Sequence, residues 1–455
     1  MAKFARKGLI AAMEDGDLEG LEGTEVVGDD EAASTAMMDV AEQESEVVEE
    51  VTAIESLSFA IEEAIEDVGA AEEIVDTVEE VAEADGEGGE GLTEGEAIIA
   101  EEALKICMRR LAPGREQILP SMESFRSANS RKTATRVGLE GVVEKIKSVW
   151  EKILQAIKAM WTKLVTFFKK VTDANISLEK AAKALKEKVR SNKQVKVKEG
   201  EKEFENSSIF KNFPKTGTVT ASFVKDVVEN HNFYASKSGG VAKATVDAIK
   251  TLVTVKVSDQ NSSTAVKDAA EEVANAFATY VAGKDVKISI DSNDVKEVVG
   301  DKFLIGGKST KADVKLYFKA NGDDIETDFS IAAEIQDHEN TTKTEAKVEI
   351  ASKNDMISIC DAVTKLAVNN SKFVQELEVV KKTVDGLDKV VNELVKSLES
   401  EEASKQAAKK FEGFVRNIVS TTTNKVGAFG SQMAGMNVKA GRAALYYVST
   451  CNAKY

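Results

Sequence analysis

Cysteine, histidine, proline and aromatic residues are all scarce in this chain of 455 residues, and each scarcity removes a class of function. The three cysteines, Cys107, Cys360 and Cys451, are odd in number and far apart. That spacing excludes a disulfide framework and any Cys-x-x-Cys metal knuckle. With only two histidines, His231 and His338, a zinc site or a His-based nucleophile pair has little to draw on. The expectation is a non-enzymatic protein with no cofactor, no metal site and no catalytic residue, made in a reducing cytoplasm. Aromatics at 6% and three prolines point to long helices and modest cores. No run approaches the roughly 18 apolar residues that a membrane-spanning helix needs. The start, MAKFARKGLIAAMEDGD, has the positive head of a signal peptide, but its apolar stretch (Leu9 to Met13) is short and runs straight into acid. Secretion is therefore not expected.

What the chain has instead is charge, divided by sign. Residues 1–123 carry 35 Asp and Glu against 7 Lys and Arg, a net of −28. The remaining residues, 124–455, hold 43 Asp and Glu against 53 Lys and Arg, a net of +10, so the overall −18 describes neither part. An acidic arm joined to a basic body masks a polyanion-binding surface, keeps the body soluble, or does both.

The pattern along the chain predicts an α+β protein in five parts. Residues 1–123 read as an acidic arm, largely disordered, with one or two helices where Ile54, Leu57, Phe59, Ile61, Ile65, Val68, Ile74 and Val78 recur at helical spacing. Residues 124–141 read as an exposed, protease-accessible linker behind two prolines. Residues 142–194 form a basic amphipathic helical region, with Trp150, Ile153, Ile157, Trp161, Leu164 and Phe168 at intervals of three and four. Residues 195–352 form an α+β domain with a mostly antiparallel sheet. Its strand-like runs lie at 195–198, 218–223, 251–257, 286–290, 314–318, 327–335 and 346–350, with helices at 221–230 and 264–282. Asn321-Gly322 between two such runs predicts a hairpin. Residues 353–455 return to helix, with Val374, Leu377, Val380, Val384, Leu387, Val391, Leu394 and Leu398 in a bundle-like stripe. No fixed-period repeat stands out.

Few motifs suggest chemistry. GGKST at 306–310 invites a phosphate-loop reading, but Lys302 stands where that loop needs its first Gly, so a hairpin loop is the better reading. Asp15-Gly16-Asp17 begins like a calcium loop, yet Val26 occupies the twelfth position, where a bidentate Glu is required. His231, in ENHNFY, reads as a polar surface or loop residue.

The basic helix has three readings. It is a core-packed helix with a solvated lysine face, or a nonspecific binder of nucleic acid phosphates through Lys145, Lys147, Lys152, Lys158, Lys163, Lys169 and Lys170. The third reading lays it on a membrane surface, with Trp150, Trp161, Phe167 and Phe168 at the interface. Residues 124–200 concentrate the basic excess, 19 Lys and Arg against 7 Asp and Glu, which favours phosphate binding over the membrane. Nothing in the chain suggests base readout.

At the charge boundary stands Ser121-Met122-Glu123, followed by Ser124. A second sequence of the same form, Gly138-Leu139-Glu140 before Gly141, lies a little further on. A small residue, any residue, then Glu resembles the signature cut by the capsid-maturation protease of giant, phiKZ-like tailed phages. The same form recurs at Ala12-Met13-Glu14, Gly20-Leu21-Glu22, Ala53-Ile54-Glu55, Ser177-Leu178-Glu179 and Ser397-Leu398-Glu399. Only accessible backbone enters a protease cleft, so the two copies in the linker matter most. The layout is similar to that of the internal head (inner-body) proteins of those phages, which carry N-terminal propeptides. This resemblance implies a precursor packed into the head of the virion with other internal head proteins, capsid or scaffold. There the maturation protease would cut it after Glu123, or alternatively after Glu140, leaving a basic body that associates with genomic DNA and, as in some members of such sets, is ejected with it. The alternative is a membrane-associated or DNA-ejection protein acting on the host envelope through its Trp-bearing helix.

Overall fold

The computed structural model describes residues 31–83, 91–111, 119–192, 202–215, 217–254, 262–289, 294–321, 324–339, 347–386 and 405–455. The expected α+β class is met: long helices dominate, and the strands are few and antiparallel.

The three longest of the described helices build the frame: α1 (Glu31–Glu83), which the shorter α2 (Glu94–Leu111) follows, α3 (Ala128–Ser191) and, at the end of the chain, α8 (Lys405–Asn452). At 64 residues, α3 is about 96 Å long. It holds no proline, carries Lys188 and Arg190 in its last turn where the helix dipole favours cations, and buries one stripe of its surface. Between α3 and α8 the chain forms β1 (Glu203–Glu205), α4 (Ser207–Asn212), α5 (Ala221–Thr254), α6 (Ser262–Ala282), β2 (Lys296–Val299), β3 (Lys308–Asn321), β4 (Asp324–Asp337), β5 (Lys347–Glu349) and α7 (Lys353–Val384).

The terminal helix α8 is the axis of the molecule. Its small residues allow close neighbours: a Cβ on Gly427 would lie 2.9 Å from Leu164, on Gly435 3.2 Å from Val51, and on Gly441 2.4 Å from Leu178. These contacts set α8 beside α3 in the same direction and antiparallel to α1. The small-residue-rich end of the chain therefore serves as a hub, where larger side chains would hold α1 and α3 off.

Strands β2, β3 and β4 form a three-stranded antiparallel sheet, with Val314 opposite Ile331 and Leu316 opposite Phe329. Alternation puts Ala312, Val314, Leu316 and Phe318 inward, while Lys311 and Lys315 pair across the outer face with Glu297 and Asp328. The sheet leans on α8 through Phe318 and Phe414 and through the Asn417 amide, which donates to the Phe329 carbonyl. The hairpin at Asn321-Gly322 is present in register, Asn321 facing Asp324, with Gly322 itself outside the described residues. GGKST is a tight turn entering β3, with Gly306 and Gly307 both at φ near 70°, which favours glycine. Strands β1 and β5 pair apart from this sheet, joined by a single bridge from Val219.

Several sequence expectations are corrected. Residues 251–254 close helix α5 instead of opening a strand, because Ala248, Ile249 and Leu252 bury at helical spacing against the core. The run at 286–290 is not a strand over its described residues. Its Val286 and Ile288 amides are taken by Thr279 Oγ1 and Asn275 Oδ1 of α6. Of 218–223 only Val219 bridges, and helix begins at Ala221. Residues 128–141, read as linker, are the first turns of α3. The strand-like run at 195–198 and the stripe positions Leu387, Val391, Leu394 and Leu398 lie outside the described residues.

His231 is neither on the surface nor in a loop. It is fully buried in α5, its Nδ1 2.8 Å from Asn437 Oδ1 of α8 and its Nε2 accepting the Ile305 amide at 3.0 Å. The chain of hydrogen bonds continues from Asn437 Nδ2 to Asn370 Oδ1 at 2.9 Å and from Asn370 Nδ2 to Asn175 Oδ1 at 3.1 Å. One buried polar line thus ties α5, α8, α7 and α3 together.

Candidate processing site and arm–body interface

The segment from Leu119 to Ser127 crosses from the acidic to the basic part of the chain, and it is held at its ends more firmly than in its middle. Leu119 is buried, and its amide donates to the Glu101 carboxylate of α2 at 2.6 Å. Phe125 is buried too, and its carbonyl accepts from Arg131 Nε at 2.8 Å. Between these anchors Met122–Phe125 makes one 3₁₀ turn, closed by the Ser124 amide on the Ser121 carbonyl at 2.8 Å. Ser121 and Glu123 are exposed and Ser124 is half-buried, its carbonyl accepting from Ser130 Oγ at 2.7 Å. A single 3₁₀ turn is among the weakest regular structures, but opening this one beyond Glu123 gives up the Ser130 and Arg131 contacts and withdraws the buried Phe125.

The second sequence of that form is placed differently. Gly138, Leu139, Glu140 and Gly141 lie inside α3, with Gly138 and Leu139 buried and Glu140 exposed. A Cβ on Gly138 would fall 2.9 Å from the Pro120 ring and 3.0 Å from Leu119, so glycine here lets the boundary segment pack onto the helix. Of the further copies, Ala53-Ile54-Glu55 lies in α1 and Ser177-Leu178-Glu179 in α3, with Ile54 and Leu178 fully buried. Those at residues 12–14, 20–22 and 397–399 lie outside the described residues.

Behind the boundary, α1 lies along α3 and α8 in a seven-residue repeat. Val40, Val47, Ile54, Ile61, Val68 and Val75 recur every seventh residue and all are buried. The intervening line reads Glu44, Val51, Ser58, Ile65 and Glu72, and its polar members have partners on the body. Glu44 is ion-paired with Arg442 of α8. The Ser58 carbonyl accepts from Asn424 Nδ2 at 3.1 Å, and Glu72 Oε1 accepts from Trp150 Nε1 of α3 at 2.8 Å. Further pairs join Glu62 to Lys425 at 2.5 Å and Lys170 to Glu50 at 3.1 Å and to Glu46 at 3.6 Å. Burial raises the Glu44 carboxyl above its ordinary range, against the lowering pull of Arg442 and Lys439. Burial also pushes Glu55 up to about 7, against a hydrogen bond with Gln432. A fully buried Val or Ile is worth about 1.5–3 kcal/mol, whereas partly exposed ion pairs give about 0–1 kcal/mol each. The apolar line therefore holds the arm, and the charged and polar partners select its register.

The helical expectation for the acidic arm is met, but the expected disorder is corrected over its described residues, which are nearly all in α1 and α2. Its helix α1 is packed on the body along its length and shares the core of α8. Phe59, named among its apolar positions, is exposed instead, while Val40, Val47, Val51 and Val75 went unnamed. The seven-residue spacing was the signal that could have found them.

The seven lysines of α3 fall in two rows. Lys145, Lys152, Lys163 and Lys170 share one row at intervals of 7, 11 and 7, and Lys147, Lys158 and Lys169 share another at intervals of 11. Lys147, Lys152, Lys163 and Lys169 are exposed, and Lys170 is engaged by the arm. The membrane reading of this helix is corrected: Trp150, Trp161, Phe167 and Phe168 face the core and are buried, so none is available to a lipid interface. Among the described residues, no helix is long and apolar enough to cross a membrane, and no group of three or more His, Cys, Asp or Glu could hold a metal ion.

A family model for phiKZ-like phage internal head proteins matches residues 25–450, nearly the whole chain and including α1. No curated protein and no solved structure matches.

Proposed function

The chain belongs to the phiKZ-like phage internal head proteins, a structural component located inside the virion head, and from that premise we propose that it is a precursor cut between Glu123 and Ser124. The observation that carries this reading is the coincidence of three features at one bond: the change of charge sign, the small-x-Glu sequence and the exposure of Ser121 and Glu123 just ahead of the Phe125 anchor. The copy ending at Glu140 is the second choice, because a cut there requires α3 to unwind. The cut divides −28 from +10. An arm of that charge repels a packaged genome, and its removal leaves a body that meets DNA phosphates through one of the two lysine rows of α3. With a charge this small the body accompanies DNA and does not condense it. The chain acts in this reading as a structural protein and a protease substrate, alongside other internal head proteins.

The test is the N-terminus of the protein recovered from mature particles, read by mass spectrometry. A chain beginning at Ser124 supports the reading. A full-length chain in finished, infectious particles overturns it.

A further inference from the structure

The surface under α1 has the form of a binding groove with a specified occupant. Its walls are α3 and α8, its floor is opened by Gly435 beneath Val47 and Val51, and its cations Arg442, Lys170 and Lys425 meet Glu44, the Glu46–Glu50 pair and Glu62 in order along the helix. Polar contacts from Asn424 to Ser58 and from Trp150 to Glu72 fix the same register. None of these contacts involves the boundary segment, so none is lost when that segment is cut. We infer that the α3–α8 groove is a receptor for an acidic heptad helix, and that it keeps α1 bound as a separate polypeptide after the Glu123–Ser124 bond is broken.

Duplex DNA does not fit this groove, because its floor is apolar and α1 fills it with Val and Ile side chains. The partner that does fit has branched apolar residues every seventh position and carboxylates beside them, which describes α1. Arm loss is then a separate event from chain scission, requiring a further cut within α1 or its unfolding. This rests on the proposed processing only for the place of the cut, and the experiment supplies its own cut, so the two readings fail separately.

A site-specific protease recognition sequence is placed at residues 121–124 of the full chain, and the folded protein is nicked and passed over a sizing column in 0.15 M salt. The expected result is co-elution of both fragments in 1:1 ratio, unchanged by a short duplex DNA. An E46K/E50K double variant, nicked in the same way, should shed its arm several-fold faster, since both new lysines face Lys170. Immediate separation of the wild-type fragments overturns the proposal. So does displacement of the arm by the duplex, or recovery of the body as an arm-free dimer, which would assign the groove to DNA or to a second copy.

Discussion

Two buried titratable groups give this protein opposing responses to acid. His231 accepts the Ile305 amide at Nε2, so its proton sits on Nδ1 and is donated to Asn437. Burial holds its pKa down at about 4, against the raising effect of the Asn437 contact. A histidine depressed on folding gives stability that is complete above its unfolded value, near 6.5, and is lost as the pH falls towards 4. The loss is on the order of 3 kcal/mol across that window. Glu55 does the reverse. Its carboxyl is pushed up to about 7, so ionisation opposes folding, and stability grows as the pH falls from 7 towards the ordinary carboxylate range. Urea unfolding at pH 4.5, 6 and 8 separates the two. H231Q should flatten the loss on the acid side. E55Q should raise the midpoint at pH 8, by an amount corresponding to at most about 2–3 kcal/mol. A lower midpoint for E55Q at pH 8 would contradict the assignment.

At the scale of the element, α1 separates two readings of the same apolar residues. If its seven-residue repeat holds it in place, Ile54→Ala and Ile61→Ala each cost about 2–4 kcal/mol in chemical unfolding, whereas Phe59→Ala, although a larger deletion, stays within about 0.5 kcal/mol. The reverse order would mean that the helix docks by another face. This element also shows how far the sequence was legible. A helix was readable from the spacing of Ile54, Ile61 and Val68, but its docking was not. Three of the five residues of its second line are Glu44, Ser58 and Glu72, which look like surface residues until Arg442, Asn424 and Trp150 supply partners from 78 or more positions away. The strand expected at 251–257 is replaced by helix over 251–254 for a related reason: β-branched residues favour strand locally, but burial of Ile249 and Leu252 at helical spacing overrides that preference. The hairpin at Asn321 was readable because its signal is entirely local. At the boundary, charge and motif were visible from composition, while the burial of Gly138 against Pro120 was not. That contact carries its own prediction. Gly138→Val places a side chain where the Pro120 ring lies, so limited proteolysis between residues 119 and 127 should accelerate while the cleavage pattern elsewhere stays unchanged.

For the whole molecule, charge and packing make DNA binding conditional on two steps. The intact chain carries −18, and nicking alone leaves the same charge on one particle if α1 stays in its groove. Only the arm-free body presents +10, with Lys170 released from Glu46 and Glu50 to complete its row. Binding of a short duplex, followed by anisotropy from 50 to 200 mM salt, should therefore be absent for the intact and nicked forms and present for arm-free protein. Because phosphate contacts release counterions, the logarithm of the binding constant should fall linearly with the logarithm of salt, with a slope of about −0.9 per contact. The two rows of α3 diverge around the helix, so one phosphate backbone follows one row at a time. Replacing Lys147, Lys158 and Lys169 with Gln should then reduce the slope by up to about 3 if that row is used. The same change in Lys145, Lys152, Lys163 and Lys170 should leave it unaltered. Equal losses from both sets would mean diffuse attraction by net charge, and tight binding by the intact chain would mean that the arm masks nothing.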